Sequence, residues 1–535
     1  MAKTYDAIII GGGHNGLVAA AYLARAGKKV LVLEKRHLVG GAAVTEEVNP
    51  GFKYSVFSYV VSLLRPEIIR DLQLAKHGLT ILPLPSTFTP LPNGDYIAFW
   101  DDHDKTRREI YRHSQKDAEA YDHYSREMFH MARAIKPILN MIPPDIMSLS
   151  VGDLLGLAGL GRHFAGLGEK KFYQMFKLMT MSAADFLEEW FEFEPLIATK
   201  SASGIIGTYM GPRSPASAYV LLHHYMGEID GAFRAWGFAK GGTGGISEAI
   251  ASAARSSGAE IRCKAGVAQV IVKNGWAVGV ALEDGEEIYA KVIASSLDPK
   301  RTFLKLVESK ELPTDFVEGI RRYKIQGSSG KVNLSLSALP KFTALEKNAD
   351  RLLAPAAAFY RGAISISPSV DHLERAYDDA KYGQYSRKPY MDIIFPSMID
   401  PNMAPPGRHV MSAFVQYAPS NLQGGWDETK REAFGDAVIN TLSEFAPDIK
   451  DLILHRQVLT PWDIERMAGL TEGNIFHGEL LLHQLFFLRP VPGWADFRTP
   501  VRSFYQCGSG THPGGGIMGA GGRLAALEIL KEWRA

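Results

Sequence analysis

The chain has 535 residues, 46% hydrophobic and 22% charged, with 59 Lys plus Arg against 58 Asp plus Glu. That length implies two or three packed units, and that composition excludes a disordered or fibrous chain. Near-zero net charge excludes a field that gathers polyanions, so no nucleic-acid partner is expected, and two isolated cysteines, Cys263 and Cys507, exclude a disulfide framework, a redox CxxC pair and a thiolate metal site.

The first apolar run begins within about six residues of Met1, which leaves no room for a secretory signal and points to a cytoplasmic protein. Residues 7–10 are Ile-rich and uninterrupted, as in a strand covered on both faces. Gly11, Gly13 and Gly16 then satisfy G-x-G-x-x-G, with Asn15 inside the turn. The Ala- and Leu-rich stretch 17–26 predicts a helix stopped by Gly27, and residues 30–33 a second buried strand ending in Glu34. In this order the first glycine permits the sharp turn, the second a close approach of backbone N–H groups to a pyrophosphate, and the third tight helix–strand packing. The helix start offers unpaired amides to phosphate, and Glu34 can accept the ribose hydroxyls of an adenosine. The motif itself does not choose between FAD and NAD. Lys35 follows the acid, and Gly40 and Gly41, ahead of Ala42, let the chain pass close to a ligand.

Residues 79–100 read as two alternating runs joined by a hairpin at Pro92, Asn93 and Gly94, and residues 104–139 as helix. Residues 141–193 mix Pro, Gly and apolar residues and read as helices. Their Met and Phe stripes fit a core, with a greasy tunnel or a bilayer contact as alternatives. The longest apolar stretch, 154–161, stops at Arg162, far short of a membrane span, so any membrane contact would be peripheral. Residues 236–299 return to glycine turn, helix and strand, with hairpins at Asn274 and Gly275 and at Asp284 and Gly285. Residues 330–338, 391–395 and 409–417 are strand candidates, and 426–445 an amphipathic helix. Near the C-terminus a short strand at 503–507 precedes a glycine turn and a helix from about Gly521. No metal-ligand spacing is present.

The Gly40–Gly41 pair behind the acid resembles the flavoenzyme group of phytoene desaturases and amine oxidases, which makes FAD the expected cofactor. Gly508, Gly510, Thr511, His512, Pro513, Gly514, Gly516 and Ile517 match the G-x-G-T-H-P-G-x-G-I element of phytoene-desaturase-like proteins. Stretches 218–242 and 473–494 resemble the branch of that family named for a pyridine nucleotide–disulphide oxidoreductase domain, although the absent CxxC argues against disulfide chemistry. The resemblance implies an α/β protein. Its Rossmann-type FAD-binding domain is expected at 1–75, 235–305 and 496–535, discontinuous in sequence. A substrate domain of mixed sheet plus helices, of amine-oxidase/phytoene-desaturase type, is expected at 76–234 and 306–495. It also implies that Gly11, Gly13, Asn15, Gly16, Glu34, Lys35, Gly41, Ala42, Val267, Gly508, Gly510, Gly516, Ile517 and Met518 attend the FAD. Val267 would offer backbone contacts to adenine, and the amides of Ile517 and Met518 would face the flavin ring.

With a single dinucleotide fingerprint, electrons are expected to pass to oxygen, a quinone or another diffusible acceptor. The expected substrate is a lipophilic or aromatic small molecule oxidised, desaturated or isomerised by hydride transfer. Candidate acid/base residues are His512, His477, Glu479 and His224, with His223 beside it, because imidazole titrates near neutrality. An amine oxidase, and a flavin-loaded interaction or membrane-docking protein with little turnover, are the competing readings.

Overall fold

A computed structural model of the chain describes residues 4–229, 232–233 and 236–533. Asp230, Gly231, Arg234 and Ala235, within the 218–242 stretch and at the expected 234/235 domain boundary, lie outside the described residues.

The strand Tyr5–Ile10 sits at the centre of a seven-stranded sheet, as its apolar run requires. Val30–Leu33 and Glu287–Ser295 pair with it in parallel, Ala7 facing Val30 on one side and Val292 on the other. Glu260–Arg262 extends the sheet beyond Val30–Leu33. On the other side Trp276–Leu282 and Val267–Lys273 fold back antiparallel at the two expected hairpins. Phe504–Gln506 then enters in parallel against Glu287–Ser295, so one sheet draws on three distant parts of the chain. The helix His14–Arg25 buries Leu17, Val18, Leu23 and a run of alanines, and stops where Gly27 adopts φ +76°. It packs against the C-terminal helix Ala520–Glu532 so closely that a Cβ at Gly522 would lie 2.0 Å from the Asn15 carbonyl oxygen. Only glycine fits there.

A second seven-stranded sheet runs in the order Ile453–Leu459, Ser329–Leu336, His409–Gln416, Tyr390–Ile394, Ala363–Ile366, Ser86–Pro90 and Tyr96–Trp100. The last two form the hairpin expected at Pro92–Gly94, with Gly94 at φ +85°. Val332, Leu334 and Leu336 enter a core shared with Phe434, Val438 and Leu442 of the helix Glu428–Ser443. All eight residues of Ser329–Leu336 are buried, so the alternation at 330–338 separates an apolar face from a polar face that is also covered. Residues 54–59, on the way out of the first sheet's unit, help cover it: Tyr54 hydrogen-bonds Ser335 (2.5 Å), and Asn333 donates to the Val56 carbonyl (3.2 Å).

The helix His103–Tyr111 packs on Tyr96–Trp100 and on the helix Gln115–Ile135, and Val151–Gly166 and Glu169–Thr180 follow, packing against each other. The apolar stripes of 141–193 divide. Met175 and Leu178 join the core, whereas Phe172, Tyr173 and Phe176 face outward.

Candidate functional site

The first glycine turn opens onto a cavity of about 870 Å³, inside the usual range of about 300–1,000 Å³ for a bound small molecule. Gly11, Gly13, Asn15, Glu34, Lys35, Gly41, Ala42 and Val267 border it, so eight of the residues read from the sequence meet at one crevice. A Cβ on Gly13 would meet no protein atom within 4 Å, because its backbone faces the cavity. Gly16 sits behind it, where a Cβ would lie 2.2 Å from the Gly11 carbonyl oxygen. The helix begins at His14, and its first-turn amides lack intrahelical acceptors and point to this end. Glu34 Oε2 accepts from the Gly12 amide (2.7 Å) and Oε1 from the Arg36 amide (2.8 Å), which fixes the carboxylate at the strand end. Lys35 turns outward to Glu283 at 2.7 Å.

The C-terminal segment reaches the same place from behind. Asn15 Nδ2 donates to Ser509 Oγ (3.0 Å), and the Gly522 amide donates to Asn15 Oδ1 (3.4 Å). Of the predicted C-terminal residues, Gly508 lies against the Ser296 carbonyl and Gly510 against Pro299. Gly516 packs on Leu63, and Ile517 follows at φ +56°. The Met518 carbonyl accepts from the Arg65 amide at 3.1 Å. Ser509, which sequence reasoning did not select, is the member of this loop that borders the cavity.

His477 borders the cavity too, and so does His14, another residue the sequence reading passed over. Both are half-buried at its wall, and desolvation lowers both imidazole pKa values, His14 to about 4 with His477 close enough to add to the effect. His14 Nε2 and His477 Nδ1 are buried without a protein hydrogen-bond partner, the kind of polar atom that a bound polar group satisfies. Glycine backbone, helix-start amides, a fixed strand-end carboxylate and two neutral imidazoles fit the phosphates, ribose and ring edges of FAD.

The other predicted acid/base residues stand apart. His512 points Nε2 at the Ile138 carbonyl (2.8 Å), and burial lowers it to about 4. His224 directs Nδ1 at the carbonyls of Ser203 and Val220 (2.9 Å each) and stacks on Trp236. Burial lowers it to about 4 and lowers its neighbour His223 to about 3. Carbonyls only accept, so His512 and His224 donate there. Glu479, raised to about 7 by burial, faces a separate cleft with Glu472 and Lys324. Arg489 is wholly buried and donates to the carbonyls of Phe476, Gly478, Glu479, Gln484, Ser509 and Thr511, tying the 476–489 loop to the glycine loop.

A second cavity, of about 540 Å³, has Phe99, Trp100, Tyr121, Phe129, Tyr225 and Trp236 in its wall, with Asp392 among its few acids. Tyr59 donates to Asp392 Oδ2 (2.6 Å), and burial raises Asp392 to about 6. Behind it Lys331 donates to Ser412 Oγ (2.7 Å) and lies 4.9 Å from the Tyr59 ring centre. Burial lowers its pKa from 10.5 to about 7, opposed by Asp392. Sequence reasoning missed this group. Its only signal was a lysine on the polar side of an alternating strand, a position that is normally solvent-exposed.

A glycine-walled dinucleotide crevice on one sheet and an aromatic cavity on the other define an FAD-dependent oxidoreductase of two-sheet architecture. The chain belongs to the flavin-containing amine oxidoreductase family, which it matches over residues 16–530. It is 42% identical to pyridine nucleotide-disulfide oxidoreductase domain-containing protein 2 of Rattus norvegicus, over 99% of this chain and 94% of the relative. A limonene dehydrogenase subunit of Castellaniella defragrans is 28% identical over 99% of this chain and 95% of that protein. Putrescine oxidase, solved with putrescine bound, shares the fold with a TM-score of 0.61 at 15% identity, over 99% of this chain and 100% of that one.

Proposed function

We propose that the protein oxidises an apolar or aromatic small molecule at a C–H bond, by hydride transfer, in a phytoene-dehydrogenase-like desaturation, oxidation or isomerisation. The observation that carries this is the aromatic wall of the 540 Å³ cavity, where six large rings offer an apolar or aromatic substrate flat surfaces to pack against. A relative at 28% identity that is named for limonene dehydrogenation supports the substrate class. FAD, when bound, supplies the two-electron acceptor. In this reading Gly11, Gly13, Asn15 and Gly16 shape the pyrophosphate site, with Lys35, Gly41 and Ala42 along the dinucleotide. Glu34 binds ribose and Val267 lies beside adenine, while Gly508, Gly510, Gly516, Ile517 and Met518 close the flavin end.

In a desaturation one C–H bond gives up a hydride and its neighbour a proton as the C=C bond forms. Asp392 borders the substrate cavity and, with a pKa raised only to about 6, is a carboxylate at neutral pH that can take the proton. Tyr59 holds it by donating to Oδ2, and Lys331 lies behind without touching it. His477 and His14, neutral at the crevice, serve as hydrogen-bond donors and acceptors, and His512, His224 and Glu479 position the loops they join. Electrons leave to oxygen, a quinone or another diffusible acceptor.

The same Asp392 favours one second reading, an amine oxidase, because a carboxylate in an aromatic cavity also receives an ammonium group. Anaerobic titration of the purified holoprotein separates the two. Loss of flavin absorbance on adding cyclic or open-chain terpenes supports the first, and loss on adding primary amines, with peroxide released in air, supports the second. Indifference to both panels overturns both and leaves a flavin-loaded binding protein.

A further inference from the structure

Val151–Gly166 is made largely of leucine, glycine and alanine, yet none of its 16 residues is buried. A helix apolar on all sides is ordinarily enclosed. Here Leu155 is 67% exposed, and the loop before it adds Met147 at 84% and Leu149 at 87%. The next helix, Glu169–Thr180, is anchored by Met175 and Leu178 and turns Phe172, Tyr173 and Phe176 outward, the last two 63% and 61% exposed. At this spacing the three rings form one stripe, and Lys170 and Lys177, seven residues apart, run along its flank. Across residues 147–180, the loop and both helices, four basic residues, Arg162, Lys170, Lys171 and Lys177, stand against two acids, Asp153 and Glu169. Lys177 also meets Glu189.

We propose that this helix pair docks on the surface of an anionic phospholipid membrane, with its leucine and aromatic side chains among the acyl chains and its basic residues at the headgroups. Exposed aromatics flanked by lysines whose stems reach along the apolar layer are the pattern of a helix lying in a bilayer interface. The protein lies on the bilayer without crossing it. A helix of 16 residues is about 24 Å long against an apolar thickness of about 30 Å, and among the described residues no helix is long and apolar enough to span. A second copy is the poorer occupant, because a twofold contact through this patch would bring the same four basic residues against themselves. The patch adjoins the helix Gln115–Ile135. The Arg133 and Ala134 end of that helix shares a groove with His163, Leu167 and Lys171, while its Phe129 borders the aromatic cavity.

Flotation of the full-length holoprotein with vesicles tests this docking, which stands whatever the substrate. Vesicles of phosphatidylcholine mixed with phosphatidylglycerol should carry the wild type upward, and phosphatidylcholine alone should carry far less. Raised salt should release part of the bound protein. Leu155→Ser with Phe176→Ser should weaken binding about tenfold or more, because two exposed side chains lose their burial in lipid. Lys170→Glu with Lys171→Glu should abolish the preference for anionic vesicles. All four positions are exposed, so retained flavin absorbance and an unchanged melting temperature are expected. Failure of the wild type to float with either vesicle overturns the proposal, even if a variant misfolds. So does light scattering that shows a dimer which the Leu155→Ser, Phe176→Ser protein converts to monomer.

Discussion

Replacing Lys331 by Met should change how stability depends on pH. The ammonium group is fully buried, and its pKa falls from 10.5 to about 7. Below pH 7 it is protonated in both the folded and the unfolded chain, and above 10.5 it is neutral in both. Between those limits the unfolded chain holds a proton that the folded chain has released. The free energy of unfolding therefore rises with pH across that window, by about 5 kcal/mol in all at about 1.4 kcal/mol per unit. From pH 7 to pH 9 the wild type should gain about 2 kcal/mol relative to Lys331→Met, which has no proton to lose. Asp392 moves from 3.8 to about 6 and acts below this window, and Tyr59 and Tyr390 are pushed upward from 10, beyond it. Urea unfolding of both holoproteins at pH 7 and pH 9 measures the effect, and the difference between them cancels the titrating groups that do not interact with Lys331, which leaves Asp392 as its coupled partner. A wild-type-minus-variant difference that stays constant between the two pH values would refute the buried, proton-shedding lysine.

Glu34→Ala should yield protein purified without FAD, read as loss of the flavin absorbance relative to protein absorbance; a yellow holoprotein of normal stoichiometry would sink its ribose role. Gly522→Ala forces a Cβ to 2.0 Å from the Asn15 carbonyl oxygen, so the two helices must part. A loss of about 1–3 kcal/mol and weaker FAD retention should follow, and an unchanged melting temperature with full flavin content counts against that contact.

The first strand, helix and second strand were legible because each rests on neighbours in sequence: an apolar run, three spaced glycines and an acid. FAD was legible only with the Gly40–Gly41 pair and the 508–517 element, since the fingerprint alone suits either dinucleotide. What escaped depends on distant segments. Lys331 shows in sequence only as a polar alternate, and its burial is imposed by residues 54–59 and by the strands that carry Asp392 and Ser412. Two of the histidines show the opposite case. His512 and His224 have the residue type that acid/base chemistry needs, yet carbonyls of Ile138, Ser203 and Val220 occupy them. No local pattern announces a carbonyl partner 374 residues away.

The sheet that cradles the dinucleotide takes its first strand from Tyr5–Ile10 and its last from Phe504–Gln506. At a synthesis rate of about 5–20 residues per second, roughly half a minute to a minute and a half separates the emergence of those two strands. Once Glu287–Ser295 has emerged, the growing chain exposes an incomplete apolar edge there until Phe504–Gln506 arrives to pair with it, so completion of this sheet is a late event in the life of each molecule.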